Sequence, residues 1–199
     1  EAVKWYRLAA EQGLAQAQFN LGVAYRYGEG VFKDAAESVK WWRMAAEQGY
    51  ADAQYNLGVA YHYGRGVPKD DAEAVKWFRK AAEQGQAGAQ FNLGVAYQKG
   101  YRAIGSHMRY DAEAAKWFRM AAEQGHVDAQ YELFVMYYDS KFYMPIDDAE
   151  ELKWCSKAAE QGHAEAQYFL GFKYFTDRNM PQDFAEAVKW FRKAADQGN

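Results

Sequence analysis

Cysteine is nearly absent: Cys155 stands alone in 199 residues, so no disulfide can form within the chain. No apolar run approaches the roughly 20 residues of a membrane-spanning helix, which excludes such a span. A surplus of one charge is missing too. Lys and Arg number 24 against 27 Asp and Glu, a net charge of -3. No segment gathers the basic excess that phosphate neutralisation requires, so nucleic acid is not an expected partner. Nucleophile motifs are lacking as well. There is no Ser-x-x-Lys, Gly-x-Ser-x-Gly or Gly-Lys-Ser/Thr, and Ser38, Ser106, Ser140 and Ser156 have no repeated partner. The chain is therefore read as non-enzymatic, with no catalytic residue. His126 and His163 occupy equivalent positions about 10 Å apart, too far to share a zinc ion, and no carboxylate or thiol cluster completes a shell. No metal and no cofactor are expected.

What is present is repetition. Lys-Trp, an Ala-Ala pair and Gln-Gly recur six times, with tryptophans at Trp5, Trp41, Trp77, Trp117, Trp154 and Trp190. Their spacings are 36, 36, 40, 37 and 36 residues. A period of that length marks a stack of supersecondary units in which each contacts its neighbours. A second phrase, Ala-x-Ala-Gln-x-x-Leu-Gly-x-x-Tyr, alternates with the first around Leu21, Leu57, Leu93, Leu133 and Leu170. Each period thus holds two kinds of helix. Half of the residues are apolar and 18% aromatic, enough for a continuous core, and charges are frequent on what remains.

The second copy shows the local logic. Ala53, Leu57, Ala60 and Tyr61 fall at i, i+4, i+7 and i+8, one face of a helix, and Gly58 admits a close neighbour. The loop Gly64-Arg65-Gly66-Val67-Pro68 ends it. The second helix opens at Asp70-x-x-Glu73, read as a capping box in which Asp70 accepts backbone N–H groups and Glu73 reaches back. Ala74, Val75, Trp77, Phe78, Ala81 and Ala82 form its buried face, and Gly85 stops it. Asp recurs at the helix start as Asp34, Asp147 and Asp183. The Glu-Gln pairs of the last turns, such as Glu47-Gln48 and Glu83-Gln84, read as solvated surface. Cys155 fills a slot held elsewhere by Tyr6, Trp42, Phe78, Phe118 and Phe191, and reads as a small core residue rather than a nucleophile.

Three departures stand out. The 40-residue spacing contains Gly105-Ser106-His107-Met108, whose removal restores 36. These four residues read as the scar of a cleaved expression tag or a junction between two array segments, with a natural loop insertion as the alternative. Residues 1–199 are otherwise one repeat array. Phe134 replaces the glycine of Gly22, Gly58, Gly94 and Gly171, which is expected to spread its helices or turn a ring into the space between repeats. Both ends lie on helices of the second kind without a polar cap, so the array is expected to continue in a longer parent or to be covered by partners, end-to-end self-association included.

These phrases resemble the Sel-1-like repeat family over essentially the whole chain. They are clearest in Ala53–Tyr61, Gly64-x-Gly66-Val67-Pro68-x-Asp70 and Ala74–Ala82. The resemblance implies an all-α fold, a right-handed superhelical solenoid of antiparallel helix pairs with about five 36-residue repeats, related to tetratricopeptide arrays. It also implies a scaffold or adaptor, in many cases bacterial, whose concave face is lined by helices of the first kind. Cytoplasmic, periplasmic and secreted placements are all compatible with it. Two alternatives stand beside that role: a hydrolase of the kind proposed for cysteine-rich relatives, and an engineered array without a ligand.

If Leu57, Gly58 and Tyr61 face the core, the opposite face carries Tyr55, Asn56, His62 and Tyr63. Across the repeats this makes a ladder of Asn20, Asn56 and Asn92, flanked by Phe19, Tyr55 and Phe91 and by Arg26 and His62. Tyr131 and Glu132 continue it in the fourth copy. An amide donates and accepts at once, matching the alternating groups of an extended peptide, while the rings cover its side chains. The expected partner is thus a protein or an extended peptide. The competing reading is that the Asn residues hold the stack in register.

Overall fold

The computed structural model of the protein describes residues 2–104, 107–139, 147–176 and 183–198, and their side chains apart from 101–104 and 107–110. Among the described residues there are eleven helices and no strand. In the first compact unit, residues 1–93, α1 (Ala2–Glu11), α2 (Ala15–Tyr27), α3 (Ala35–Glu47), α4 (Ala51–Tyr63) and α5 (Asp71–Glu83) follow one another, and α6 (Ala87–Ile104) begins. The second unit, residues 94–199, holds the rest of α6, then α7 (His107–Glu123), α8 (Val127–Tyr138), α9 (Asp148–Glu160), α10 (Ala164–Thr176) and α11 (Phe184–Ala195). Within each unit, consecutive helices joined by short connections pack as pairs. Gly105 and Ser106 of the inserted tetrapeptide lie outside the described residues.

Each pair is punctuated as its sequence requires. Gly13, Gly49, Gly85, Gly125 and Gly162, which follow the repeated Gln, all adopt φ near +90°, the left-handed conformation that ends a helix at little cost. At the helix starts Asp34 Oδ1 accepts from the N–H groups of Ala36 and Glu37 at 2.9 and 3.0 Å, and Asp147 and Asp183 do the same. The expected reach-back of the glutamate is not what forms. The backbone N–H of Asp34, Asp70 and Asp183 donates instead to the carbonyl of Tyr25, Tyr61 and Tyr174 on the preceding helix, which frees the glutamates to pair with Lys40, Lys76 and Lys189. The cap thereby ties two helices together.

Trp41, Trp77, Trp117 and Trp154, with Leu21, Leu57, Leu93 and Leu133, are buried among the repeated alanines. Small residues let the backbones approach. A Cβ on Gly58 or Gly94 would sit 2.7 Å from the ring of Phe78 or Phe118, and one on Gly22 only 2.5 Å from Trp42. Phe134 follows the opposite rule. It is fully buried at the glycine slot, and its register partner on α9 is the small Cys155, also fully buried. Its ring lies among Tyr131, Tyr138 and Phe169 at centroid separations of 5.8, 5.5 and 5.2 Å, in the space between repeats.

The repeated glutamines do more than the sequence suggests. Gln48 and Gln84 are exposed, as expected, yet each also donates Nε2 to the Oε1 of a buried glutamine, Gln18 or Gln54, at 2.7 Å. Gln18 and Gln54 donate in turn to the carbonyls of Ala10 and Ala46 at 3.1 and 3.0 Å, which also accept from the N–H groups of Gly13 and Gly49 at the end of a preceding helix. The same relay runs through Gln161, Gln130 and Ala122, and through Gln197, Gln167 and Ala159. Residues that resemble surface in sequence are the polar bolts between repeats.

Candidate functional site

The Asn ladder is not uniform. Asn20 accepts from Gln16 Nε2 at 3.3 Å on its own helix. Asn92 hydrogen-bonds the Tyr55 hydroxyl on the neighbouring first-type helix, and partial burial raises the Tyr55 pKa despite that bond. Asn56, half-buried on α4, has no side-chain hydrogen-bond partner among the described residues. It faces a cleft instead.

That cleft, of about 180 Å³, is lined by Val23, Arg26 and Tyr27 of α2, Ala35 and Trp42 of α3, Asn56, Val59 and Ala60 of α4, and Arg65 of the following loop. Each element contributes for a local reason. Gly22 leaves the room that the indole needs, since this position on the second-type helix is a smaller phenylalanine in three other copies. Gly66, at φ +78°, lets the loop lie against the start of α3, where an added Cβ would meet the Ala35 carbonyl oxygen at 2.2 Å. Arg65 is thus held at the cleft, its guanidinium over the Tyr63 ring at 4.5 Å. Among the described residues neither Arg26 nor Arg65 forms an ion pair with a carboxylate, and the buried Trp42 Nε1 has no acceptor. No acidic side chain lines the space.

The remaining candidates are distributed otherwise. Phe19 packs on Tyr50 at 5.2 Å, and Tyr55 on Phe78 at 6.1 Å. His62 turns to Asp71, with Nδ1 2.7 Å from Oδ1, and its ring rests edge-on against exposed Tyr63. Phe91 is half-buried. In the second unit Tyr131 stacks on His163 at 4.1 Å, and Glu132 accepts from Gln98 at 3.4 Å. The structure therefore brings Arg26 and Asn56 together, joins Tyr55 to Asn92, and commits His62 and Glu132 to local partners. Trp42 and Arg65 were missed by sequence reasoning. The signal was available at Trp42, a residue larger than the phenylalanine of other copies.

His126 and His163 have a structural role. The Nδ1 atoms accept from the N–H groups of Ala129 and Ala166 at 3.3 and 3.4 Å, capping α8 and α10 as Gln86 Oε1 does for Ala89. Burial lowers the His126 pKa, which favours the neutral ring that this cap uses. Among the described residues no group of three or more His, Cys, Asp or Glu could hold a metal ion. Burial pushes the Cys155 thiol up to about 12, so the thiolate is not available.

A family model described as the Sel1 repeat matches residues 1–14, 15–50, 51–86, 87–126, 127–163 and 164–199. Among solved structures, a protective antigen of uropathogenic Escherichia coli with an SLR fold is 42% identical over 100% of this chain, with a TM-score of 0.88. The chain spans 41% of that antigen's length. A Sel1 repeat protein from Oxalobacter formigenes is 34% identical, covering 97% of this chain and 75% of its own, with a TM-score of 0.79. An immunity protein of Pseudomonas aeruginosa, 22% identical over 98% of this chain and 72% of its own with a TM-score of 0.55, shares the fold. No match was found among curated proteins.

Proposed function

Since the chain belongs to the Sel1 repeat family, we propose that it is a non-catalytic interaction scaffold that takes a protein segment or extended peptide along its first-type helices. One observation carries this reading. The glutamines of the stack are consumed by the relay that bolts repeats together, whereas Arg26 of α2 and Asn56 of α4 have no polar partner among the described residues and border a cleft. Polar groups left half-buried and unpaired are costly unless water or a ligand satisfies them. An extended chain supplies both donors and acceptors, and Phe19, Tyr55 and Phe91 provide adjacent ring surface. A peptide array probed with the labelled chain tests the reading: saturable binding that falls in Asn56→Ala, with unchanged thermal stability, supports it. Turnover of a generic ester or lactam substrate without saturable peptide binding would overturn it in favour of a hydrolase.

Self-association belongs to the same reading. Trp5 is 69% exposed where its counterpart Trp41 is 8% exposed, leaving on α1 a ring that a further helix would cover. Sedimentation velocity should then show a concentration-dependent dimer that Trp5→Ala abolishes.

A further inference from the structure

We infer that the cleft between α2, α3 and α4 is a carboxylate pocket that receives an Asp or Glu side chain of the bound segment. The inference rests on the scaffold reading and adds the chemistry of its partner. Two arginines, Arg26 and Arg65, border one space of about 180 Å³, and among the described residues no carboxylate pairs with either. Arginine is the side chain whose planar fork matches a carboxylate in two parallel hydrogen bonds, and such charge-assisted bonds are the stronger ones. Asn56 adds an amide that can donate. The Trp42 ring adds a flat apolar face to the same wall, its own N–H buried against Gly22. Donors are in excess on three elements, and the missing complement is an anionic acceptor.

The shape selects the carrier. Val23, Ala35, Val59 and Ala60 interleave with the polar groups, offering apolar contact to a short methylene stem below a charged head. A space of about 180 Å³ takes one acidic side chain and is too small for a folded element. A bare inorganic anion would leave those apolar walls unused. The protein's net charge of -3 does not oppose this. At physiological salt the screening length is about 8 Å, so a ligand at the cleft responds to the two nearby guanidinium groups more than to distant carboxylates.

The test uses the whole chain and fluorescein-labelled hexaglutamate with an amidated C-terminus, so that only side-chain carboxylates are offered. Anisotropy should show saturable binding that weakens as salt rises, while hexaglutamine amide does not bind. Arg26→Gln and Arg65→Gln should each weaken binding about tenfold. Trp42→Phe, which places here the ring used by three other copies, should weaken it two- to threefold with the melting temperature little changed. Lys40→Gln, the same charge change on exposed α3 surface away from the cleft, should have no effect. Equal losses from Lys40→Gln and Arg26→Gln would overturn the pocket in favour of diffuse attraction. Binding of hexaglutamine with a free C-terminus as tight as that of hexaglutamate would overturn the side-chain assignment in favour of a terminal carboxylate. Full competition by millimolar inorganic phosphate would overturn it in favour of a general anion site. If hexaglutamate amide fails while array peptides still bind and are indifferent to Arg26→Gln and Arg65→Gln, the pocket falls and the scaffold stands. If no peptide binds, both fall.

Discussion

At one register position two repeats of the molecule solve the same packing problem in opposite ways. In a repeat of the first unit a tryptophan, Trp42, faces a glycine, Gly22; in one repeat of the second a phenylalanine, Phe134, stands with a cysteine, Cys155, while its neighbours keep Gly94 against Phe118 and Gly171 against Phe191. Large against small is kept, and which helix supplies the bulk is exchanged. Close-packed interiors tolerate such swaps because total volume is preserved. The chemistry around them is not preserved. Trp42 borders a cleft carrying two arginines and an asparagine, whereas the positions matching Arg26 and Asn56 are Tyr138 and Phe169, which pack on Phe134 at 5.5 and 5.2 Å. The first unit keeps a polar opening where the second has an aromatic cluster. Conserved packing does not require a conserved surface.

Breaking the large-small pairing is expected to have the largest effect. Phe134→Ala leaves a hole among three rings and should cost about 3–5 kcal/mol in urea denaturation. Gly22→Phe overfills its slot against Trp42 and should cost roughly 1–3 kcal/mol, part of which Gly22→Phe/Trp42→Cys recovers by recreating the arrangement of Phe134 and Cys155. A double variant no more stable than Gly22→Phe alone would show that the two slots are not equivalent.

The glutamine relay sharpens the comparison from the other side, because both units share it. Gln54→Leu and Gln167→Leu each remove the bond to an alanine carbonyl that a glycine N–H still holds, together with the bond from the following glutamine, and should each cost about 1–2 kcal/mol. A loss confined to one unit would mean that the relay is bearing in one and incidental in the other.

A smaller difference concerns Glu150. It accepts from Arg119 at 2.8 Å, Lys153 at 2.6 Å and Trp154 Nε1 at 2.8 Å, whereas Trp41 and Trp77 of the first unit leave that N–H unpaired. The bond from Lys153, helped by Trp154 and Arg119, holds the Glu150 carboxyl at about 2. A lowered carboxylate pKa stabilises the fold fully above about 4.5, and that contribution is lost as pH falls towards 2. Glu150→Gln should therefore cost about 1–2 kcal/mol at neutral pH and flatten the stability profile between those values, checked by denaturation at a series of pH. An unchanged slope would assign the acid sensitivity to other carboxylates. The smallest effect is a null one: buried Cys155 should not react with a thiol reagent until the chain unfolds.

Much of this architecture was legible in the residues. The tryptophan period, the left-handed glycine after each Gln and the aspartate caps depend on contacts within a few residues, and repetition multiplies each signal. The candidate face was legible only in outline, since helical geometry sets Asn56 about 100° round from Leu57, at the border of the buried stripe where it is half-buried. Less legible was the fate of chemically alike amides. Gln48 looks like surface until Gln18, 30 residues earlier, is seen beside it, and Asn20, Asn56 and Asn92 look alike until Tyr55 is found to engage only Asn92.

By itself, then, the order of residues determined an all-helical chain of paired units, where each helix begins and ends, and which stripe of each is buried, because those depend on local propensity and on a pattern that recurs. Only the tertiary structure decided which polar groups satisfy one another and which are left over. That outcome turns on side chains brought together from neighbouring repeats and loops. At Arg26, Arg65 and Asn56 donors from a helix, a loop and a second helix meet at one cleft, by geometry that no single stretch of sequence contains.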